Sequence, residues 1–127
     1  MARILVAEDD AAIREFVCRA LGGRGHDVVA VADGLEALEI LGAQPFDLLL
    51  TDIRMPGLDG ITLALKASKD QPNVAIVMMT GYATEEQRAH NLDALIHRVV
   101  SKPFTLAEIC EATDAALAVG GRRAAND

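Results

Sequence analysis

The sequence predicts a three-layer α/β fold, in which helices cover both faces of a five-stranded parallel sheet. Five short apolar runs alternate along the 127 residues with segments whose apolar residues recur at helical spacing, and this alternation is typical of doubly wound sheets. The runs are nearly continuous rather than alternately polar and apolar, as expected for strands buried on both faces. We therefore expect one domain built from five β-α units.

The first unit begins with a strand over residues 3–7 (RILVA), which ends at three consecutive acids. A helix over residues 11–21 follows, because its apolar residues form one stripe at helical spacing. The stripe consists of Ile13, Phe16, Val17, Ala20 and Leu21. Gly22 and Gly23 are expected to end this helix.

The second unit contains a strand over residues 27–31 and a helix over residues 34–42. Asp33 is the expected N-cap of that helix, since its short acidic side chain can accept hydrogen bonds from N–H groups of the first turn. The leucines expected to face the core are Leu35, Leu38 and Leu41.

The third unit holds the central strand, residues 46–52, which ends at Asp52. Pro56 and Gly57 then turn the chain away before a helix over residues 61–69. The carboxyl end of a central strand is where an open α/β sheet presents its chemistry, so Asp52 is the first candidate functional residue.

The remaining predicted elements are a strand over residues 73–80, a helix over 84–91, a strand over 97–101 and a helix over 105–119. Both helices open with a capping box, in which a threonine and a residue three positions later cap each other's N–H groups. Gly120 and Gly121 are expected to end the last helix. Residues 1–119 are thus the predicted domain, and residues 120–127 a flexible polar tail.

Composition limits the classes of function. The net charge of −7 argues against direct binding of nucleic acid, which needs clustered Lys and Arg to neutralise phosphates. No apolar run approaches the length that crosses a bilayer, so we expect a cytoplasmic protein without a membrane partner. Cys18 and Cys110 are expected to be reduced core residues, and His26, His90 and His97 lack the spacing of a metal site.

Strand order is expected to bring distant acids together. In the flavodoxin-like order 2-1-3-4-5, strands one and three are neighbours, so Glu8 and Asp9 should lie beside Asp52. Three carboxylates in one crevice repel one another, which implies a cation among them. Because the ligands are oxygens, Mg²⁺, or else Mn²⁺, is the expected ion. A solvated acidic rim is the alternative for Glu8 and Asp9 taken alone.

Two further strand ends add polar groups, the hydroxyl of Thr80 and the ammonium of Lys102. Either residue alone would be an ordinary strand-end or surface residue. Together with a metal and a carboxylate they match the requirements of phosphoryl transfer to Asp52, in which cations neutralise the phosphoryl oxygens and the carboxylate attacks in line.

Four motifs, in this order, resemble the receiver domain of two-component response regulators. They are ILVAEDD at residues 4–10, LTDIRMPGLDG at 50–60, MTG at 79–81 and SKPF at 101–104. The resemblance covers residues 2–119. It implies a phosphoacceptor signalling protein rather than an enzyme, with a histidine kinase or histidine phosphotransferase as the phosphoryl donor.

The resemblance also implies a ligand set for the metal. Asp52 would be phosphorylated, and Asp9 and Asp52 would bind Mg²⁺ directly. Glu8 would reach the ion largely through water, and the backbone carbonyl of Arg54 would be a further ligand. Asp10 lies one place beyond the matching acidic pair and is expected to be the N-cap of the first helix.

By the same resemblance, Thr80 would bond the phosphoryl group, Lys102 would pair with it, and the peptide bond between Lys102 and Pro103 would be cis. One position departs from the family pattern, because the residue three before the lysine is often an aromatic switch and here is Val99. We hypothesise that Tyr82, the only tyrosine, reports the state of the loop instead.

The chain ends where the resemblance ends, which predicts a stand-alone receiver that signals by binding a downstream protein. A narrower likeness, at residues 79–83, 91–97 and 101–104, is to an alphaproteobacterial regulator and points to the ClpXP protease as that partner. Two rival classes remain open. A flavodoxin-like flavin or nucleotide binder needs a phosphate-cradling loop after strand one, and an aspartate-nucleophile phosphatase normally has an acid where this chain has Arg54.

Overall fold

The computed structural model describes residues 1–81 and 95–126, and of residues 120–126 it describes only the backbone. The strands are β1 (Arg3–Ala7), β2 (Asp27–Val31), β3 (Leu48–Asp52), β4 (Ala75–Thr80) and β5 (Arg98–Ser101). The helices of the described part are α1 (Ala11–Gly23), α2 (Gly34–Ala43), α3 (Gly60–Asp70) and α4 (Leu106–Asn126). The helix predicted over residues 84–91 lies outside the described residues.

The strands pair in parallel in one sheet, in the order β2-β1-β3-β4-β5. β3 lies at the centre and pairs with β1 on one side and with β4 on the other. Its five residues are all buried, as the nearly continuous apolar run predicts. The predicted three-layer fold and its strand order are therefore confirmed.

Alternate strand residues face opposite layers of helices. Leu5 and Leu49 belong to a buried cluster that includes residues of α2 and α3. Ile4 and Leu48, one position earlier, belong to a second cluster that includes residues of α1 and α4. The central strands are thus covered on both faces, so their functional groups can meet a ligand only at the strand ends. No helix in the described ranges has the length and apolarity that a membrane crossing requires.

The end of α1 differs from the prediction. The helix includes Gly22 and Gly23, and its C-cap is Arg24, whose backbone N–H donates to the carbonyl of Leu21 at 3.1 Å. The chain turns one residue later at Gly25, which has a φ of +89°. The left-handed conformation that favours glycine is therefore needed after the helix, and not at the two glycines expected to end it.

The beginning of α4 matches the prediction, whereas its end does not. The N–H of Glu108 donates to Oγ1 of Thr105 at 3.1 Å, and the N–H of Thr105 donates to Oε1 of Glu108 at 2.9 Å, which is the predicted capping box. The helix then continues through Gly120 and Gly121 to Asn126. A glycine inside a helix costs only about 1 kcal/mol relative to alanine, so the helix formers that follow can extend it.

The core-facing side of α2 also differs from the prediction. Of the three leucines expected to face inward, Leu35 is 56% exposed, and the other two are buried or partly buried. Gly34 and Ala37 lie on the buried side of the helix. The reason is a close approach at Gly34, where a Cβ atom would lie 2.0 Å from the carbonyl oxygen of Leu58.

Candidate functional site

Polar residues gather at the edge of the sheet where the strands end. Asp52 is the last residue of β3, and Glu8 directly follows β1. Thr80 is the last residue of β4, and Lys102 directly follows β5. Because all the strands run in parallel, these four positions lie at the same edge.

The ammonium of Lys102 joins two of the acids. Its Nζ lies 2.6 Å from Oε1 of Glu8 and 2.8 Å from Oδ2 of Asp52. Glu8 is fully buried and Asp52 is 7% exposed, so both ion pairs are shielded from water. These distances confirm that the tips of strands one, three and five meet in one place.

Backbone hydrogen bonds hold the strand ends in position. The N–H of Glu8 donates to the carbonyl of Val31 at 3.1 Å, and the N–H of Lys102 donates to the carbonyl of Thr80 at 2.7 Å. Thr80 itself is buried. The peptide bond between Lys102 and Pro103 is cis, as the resemblance implies.

Burial changes the acid–base properties of Glu8 and Lys102. Loss of hydration raises the pKa of Glu8 from 4.5 to about 7, although its contacts with Lys102 and the Asp10 N–H act in the opposite direction. Burial lowers the pKa of Lys102, but its hydrogen bonds to Asp52 and Glu8 outweigh this and raise the pKa above its ordinary value. The side chain of Lys102 therefore stays protonated and positively charged in this site.

The three acids fit the predicted metal. One oxygen atom from each of Glu8, Asp9 and Asp52 lies within 4.8 Å of the others. Oε1 of Glu8 is buried and lies 2.6 Å from the ammonium of Lys102. A donor set made only of oxygen atoms suits hard cations such as Mg²⁺ and Mn²⁺.

Asp10 has a different role from the two acids before it. Its Oδ1 accepts hydrogen bonds from the N–H groups of Ala12 and Ile13 at 2.9 and 3.2 Å, so it is the N-cap of α1, as predicted. Its own N–H donates to Oε2 of Glu8 at 3.1 Å. The cap therefore also orients the buried carboxylate.

Arg14 supports the acidic turn and was not predicted from the sequence. Its Nη1 donates to the backbone carbonyl of Glu8 at 2.9 Å, which ties the first turn of α1 to the end of β1. No spacing rule singles out an arginine at this position, because the bond depends on how α1 docks on the sheet.

The acids line a pocket of about 740 Å³. Ile13, Phe16 and Phe104 line its apolar part, where the two phenylalanine rings meet edge to face with centroids 6.1 Å apart. Arg54 and Gly81 also line the pocket. The sequence analysis assigned Phe16 only to the core stripe, because its partner ring comes from the other end of the chain.

The cysteines lie outside this pocket lining. Cys110 is buried, Cys18 is partly buried, and both are free thiols, as predicted. Burial raises the pKa of the Cys18 thiol, so this residue is a neutral packing residue rather than a reactive thiolate.

Two of the histidines support the beginnings of strands. Nδ1 of His26 accepts a hydrogen bond from the N–H of Ala2 at 3.1 Å, and Nδ1 of His97 accepts one from the N–H of Ile76 at 3.0 Å. Neither histidine belongs to the possible metal-binding group, which consists of Glu8, Asp9 and Asp52. His90 lies outside the described residues.

Val99, at the position of the aromatic switch, is partly buried and packs against the cluster on the α2 and α3 side. Tyr82, which we expect to report the state of the loop, lies outside the described residues.

Comparison with known proteins defines the family. Residues 4–114 match the response regulator receiver domain, and the chain belongs to this family. It is 41% identical over 109 residues to the response regulator receiver protein CpdR of Brucella abortus, covering 86% of this chain and 91% of that protein. It is 36% identical over 107 residues to the response regulator MprA of Mycobacterium ulcerans, covering 84% of this chain but 46% of that protein.

Solved structures show the same fold. A CheY-like receiver domain protein of Methanospirillum hungatei has a TM-score of 0.89 and 30% identity, covering 97% of this chain and 98% of that one. The response regulator TrrA of Thermotoga maritima was solved in complex with Mg²⁺ and BeF. It has a TM-score of 0.80 and 30% identity, covering 90% of this chain and 97% of that one. The receiver class is thereby favoured over the flavin-binding and phosphatase classes.

Proposed function

We propose that Asp52 accepts a phosphoryl group from a phosphohistidine of a histidine kinase or histidine phosphotransferase. The observation that carries the proposal is the contact of Lys102 with Asp52 at 2.8 Å and with Glu8 at 2.6 Å. It puts a stable cation beside the proposed nucleophile, where negative charge gathers during phosphoryl transfer.

In the proposed step, a carboxylate oxygen of Asp52 forms a bond to phosphorus while the P–N bond of the phosphohistidine breaks. The leaving imidazole keeps the electron pair of that bond and takes up a proton. Lys102 stays protonated and pairs with the phosphoryl oxygens, and the hydroxyl of Thr80 donates a hydrogen bond to them. The product is an acyl phosphate on Asp52.

Asp9, Asp52 and the backbone carbonyl of Arg54 would hold Mg²⁺, or else Mn²⁺, with Glu8 reaching the ion through water. When bound, the ion supplies positive charge to the phosphoryl oxygens. The three-carboxylate group supports this assignment, as does the presence of Mg²⁺ and BeF in the complex of the similar regulator TrrA.

The apolar part of the pocket supports contact with the donor protein. Phe16 and Phe104 line the same pocket as Asp52, so a partner that brings its phosphohistidine to Asp52 could also bury apolar surface there. Burial of such surface stabilises protein complexes. The chemistry and the docking surface would then be adjacent.

A more specific proposal concerns the downstream partner through which the protein signals. The similarity to CpdR supports a stand-alone regulator that acts in the cytoplasm through phosphorylation-dependent protein binding and controls delivery of substrates to the ClpXP protease. Residues 1–119 would form the receiver and residues 120–127 a polar tail. Because Val99 has no ring to swing, the signal would pass from Asp52 to the binding surface through Thr80 and Lys102.

Labelling with acetyl phosphate tests the assignment of Asp52. With Mg²⁺ present, the wild type should form an acyl phosphate that phosphoprotein gels or intact mass spectrometry detect, because the carboxylate is the nucleophile. Asp52→Asn should form none. Asp70→Asn, at an exposed position at the end of α3, is the matched control and should label as the wild type does. Labelling retained in Asp52→Asn would refute the proposal.

A further inference from the structure

The loop that follows β3 is held on the side of α3 by a backbone contact. This loop, residues 53–59, begins at the proposed nucleophile Asp52 and contains the carbonyl proposed as a metal ligand. The N–H of Gly60 donates to the carbonyl of Ile53 at 2.8 Å, which closes the loop at the first turn of α3. On its opposite side the loop meets α2.

On the α2 side, the backbones approach more closely than a side chain permits. A Cβ atom at Gly34 would lie 2.0 Å from the carbonyl oxygen of Leu58 and 2.8 Å from its carbonyl carbon. The N–H of Gly34 lies 3.5 Å from the carbonyl oxygen of Pro56. Leu35 adds a second contact, since a Cβ atom at Gly57 would lie 3.1 Å from its Cδ1.

Space, and not backbone conformation, is what requires glycine at position 34. Gly34 has no positive φ, whereas Gly57 in the loop has a φ of +83°. Gly42, on the same helix, has no heavy atom within 4 Å of an added Cβ. The requirement therefore belongs to the contact with the loop and not to α2 as a helix.

We propose that Gly34 is a positioning residue for the metal site, because its bare backbone sets how far the Arg54 carbonyl stands from Asp52. The inference rests on the proposed function, in which Arg54 and Asp52 are metal ligands. Mg²⁺ demands nearly ideal octahedral geometry. An added methyl group would need about 1 Å more room to reach 3.0 Å from the Leu58 oxygen, and the loop would have to move by a comparable amount.

Titration calorimetry with Mg²⁺ tests this role in two matched variants. Gly34→Ala should raise the Kd for Mg²⁺ by about 10-fold to 100-fold, the usual effect of losing a group that orients metal ligands. Gly42→Ala changes the same residue type on the same helix and should leave the Kd unchanged. Equal Kd values for Gly34→Ala and the wild type, or equal losses in both variants, would overturn the proposal.

Leu35→Ala keeps the test decisive if Gly34→Ala does not fold. Leu35 is 56% exposed, so its truncation should leave the fold intact while removing the second contact with the loop, and the Kd should rise by less than in Gly34→Ala. If Gly34→Ala does not fold, a Kd for Mg²⁺ in Leu35→Ala that equals the Kd of the wild type would overturn the proposal.

Hydrogen exchange of the metal-free protein separates this inference from the proposed function. The amides of Leu58 and Gly60 should exchange faster in Gly34→Ala than in Gly42→Ala, whether or not a metal binds. If the wild type binds no Mg²⁺ while exchange at these amides still increases, the proposed function fails and the positioning of the loop by Gly34 stands. Unchanged exchange would refute that positioning.

Discussion

Lys102 limits the repulsion among the acids of this site. Its ammonium contacts both Glu8 and Asp52, so each carboxylate faces a positive charge as well as a negative one. The raised pKa of Glu8 shows a second way to limit repulsion, since this residue can take up a proton near neutral pH. Sequence reasoning expected a cation among the acids and also placed Lys102 at this edge, but did not connect the two.

Glu8 should make the stability of the metal-free protein depend on pH. Its pKa is about 7 in the folded protein against 4.5 for an unperturbed glutamate, so the folded state binds this proton more tightly. The stability that the proton contributes is complete below pH 4.5 and is lost as the pH rises to about 7. Glu8→Gln, which resembles the neutral acid, should lack this loss.

Thermal unfolding in EDTA at several pH values measures the effect. The melting temperature of Glu8→Gln minus that of the wild type should increase as the pH rises between 4.5 and 7. Other titrating groups are common to both proteins and cancel in the difference. A difference that stays constant over this range would contradict the raised pKa of Glu8.

At the scale of elements, local signals predicted the beginnings of helices better than their ends. Asp10, Asp33 and Thr105 cap α1, α2 and α4 through bonds within three residues of the cap, so the residues involved are neighbours in the sequence. The ends of α1 and α4 extend past glycines, because glycine weakens a helix without stopping it. The inward side of α2 was predicted incorrectly at Leu35, since the docking of that helix depends on a loop more than twenty residues away.

The capping box of α4 should contribute measurable stability. Thr105→Ala removes the acceptor for the N–H of Glu108 and should lower the free energy of unfolding by about 1 kcal/mol. Urea denaturation followed by circular dichroism measures the change. Ser68→Ala, at a partly buried site inside α3, removes a hydroxyl without touching a cap and should change the stability much less. Equal effects of the two substitutions would contradict a capping role for Thr105.

At the scale of the whole molecule, the proposed phosphorylation of Asp52 would add negative charge and acceptor oxygens beside Lys102 and Thr80, and such a change can shift an existing equilibrium between surfaces. Val99 provides no aromatic switch for that shift. The chain has one tyrosine and no tryptophan, so protein fluorescence reports on Tyr82. Adding acetyl phosphate and Mg²⁺ should change this signal in the wild type and leave it unchanged in Asp52→Asn. An unchanged signal in the wild type would reject Tyr82 as the reporter.

The candidate site was predictable because its members lie at the ends of strands. Short apolar runs define where strands stop, and the order of a doubly wound sheet then places Glu8, Asp52 and Lys102 at one edge. Arg14 and the ring of Phe104 were not predicted as parts of the site, because their roles depend on the docking of α1 and on a contact between opposite ends of the chain. The closeness of Gly34 to Leu58 leaves no sign in hydrophobic periodicity.

The sequence by itself determined the α/β class, the strand order and the set of polar groups at one edge of the sheet. These features follow from hydrophobic periodicity and helix caps, which are local, and from general rules of strand connection. Only the tertiary structure decided that one ammonium contacts two carboxylates, that Leu35 stays exposed, and that α2 meets the loop at Gly34 without room for a side chain. Distances between groups from different elements depend on how helices pack to within about an ångström, and no pattern along the chain encodes that packing directly.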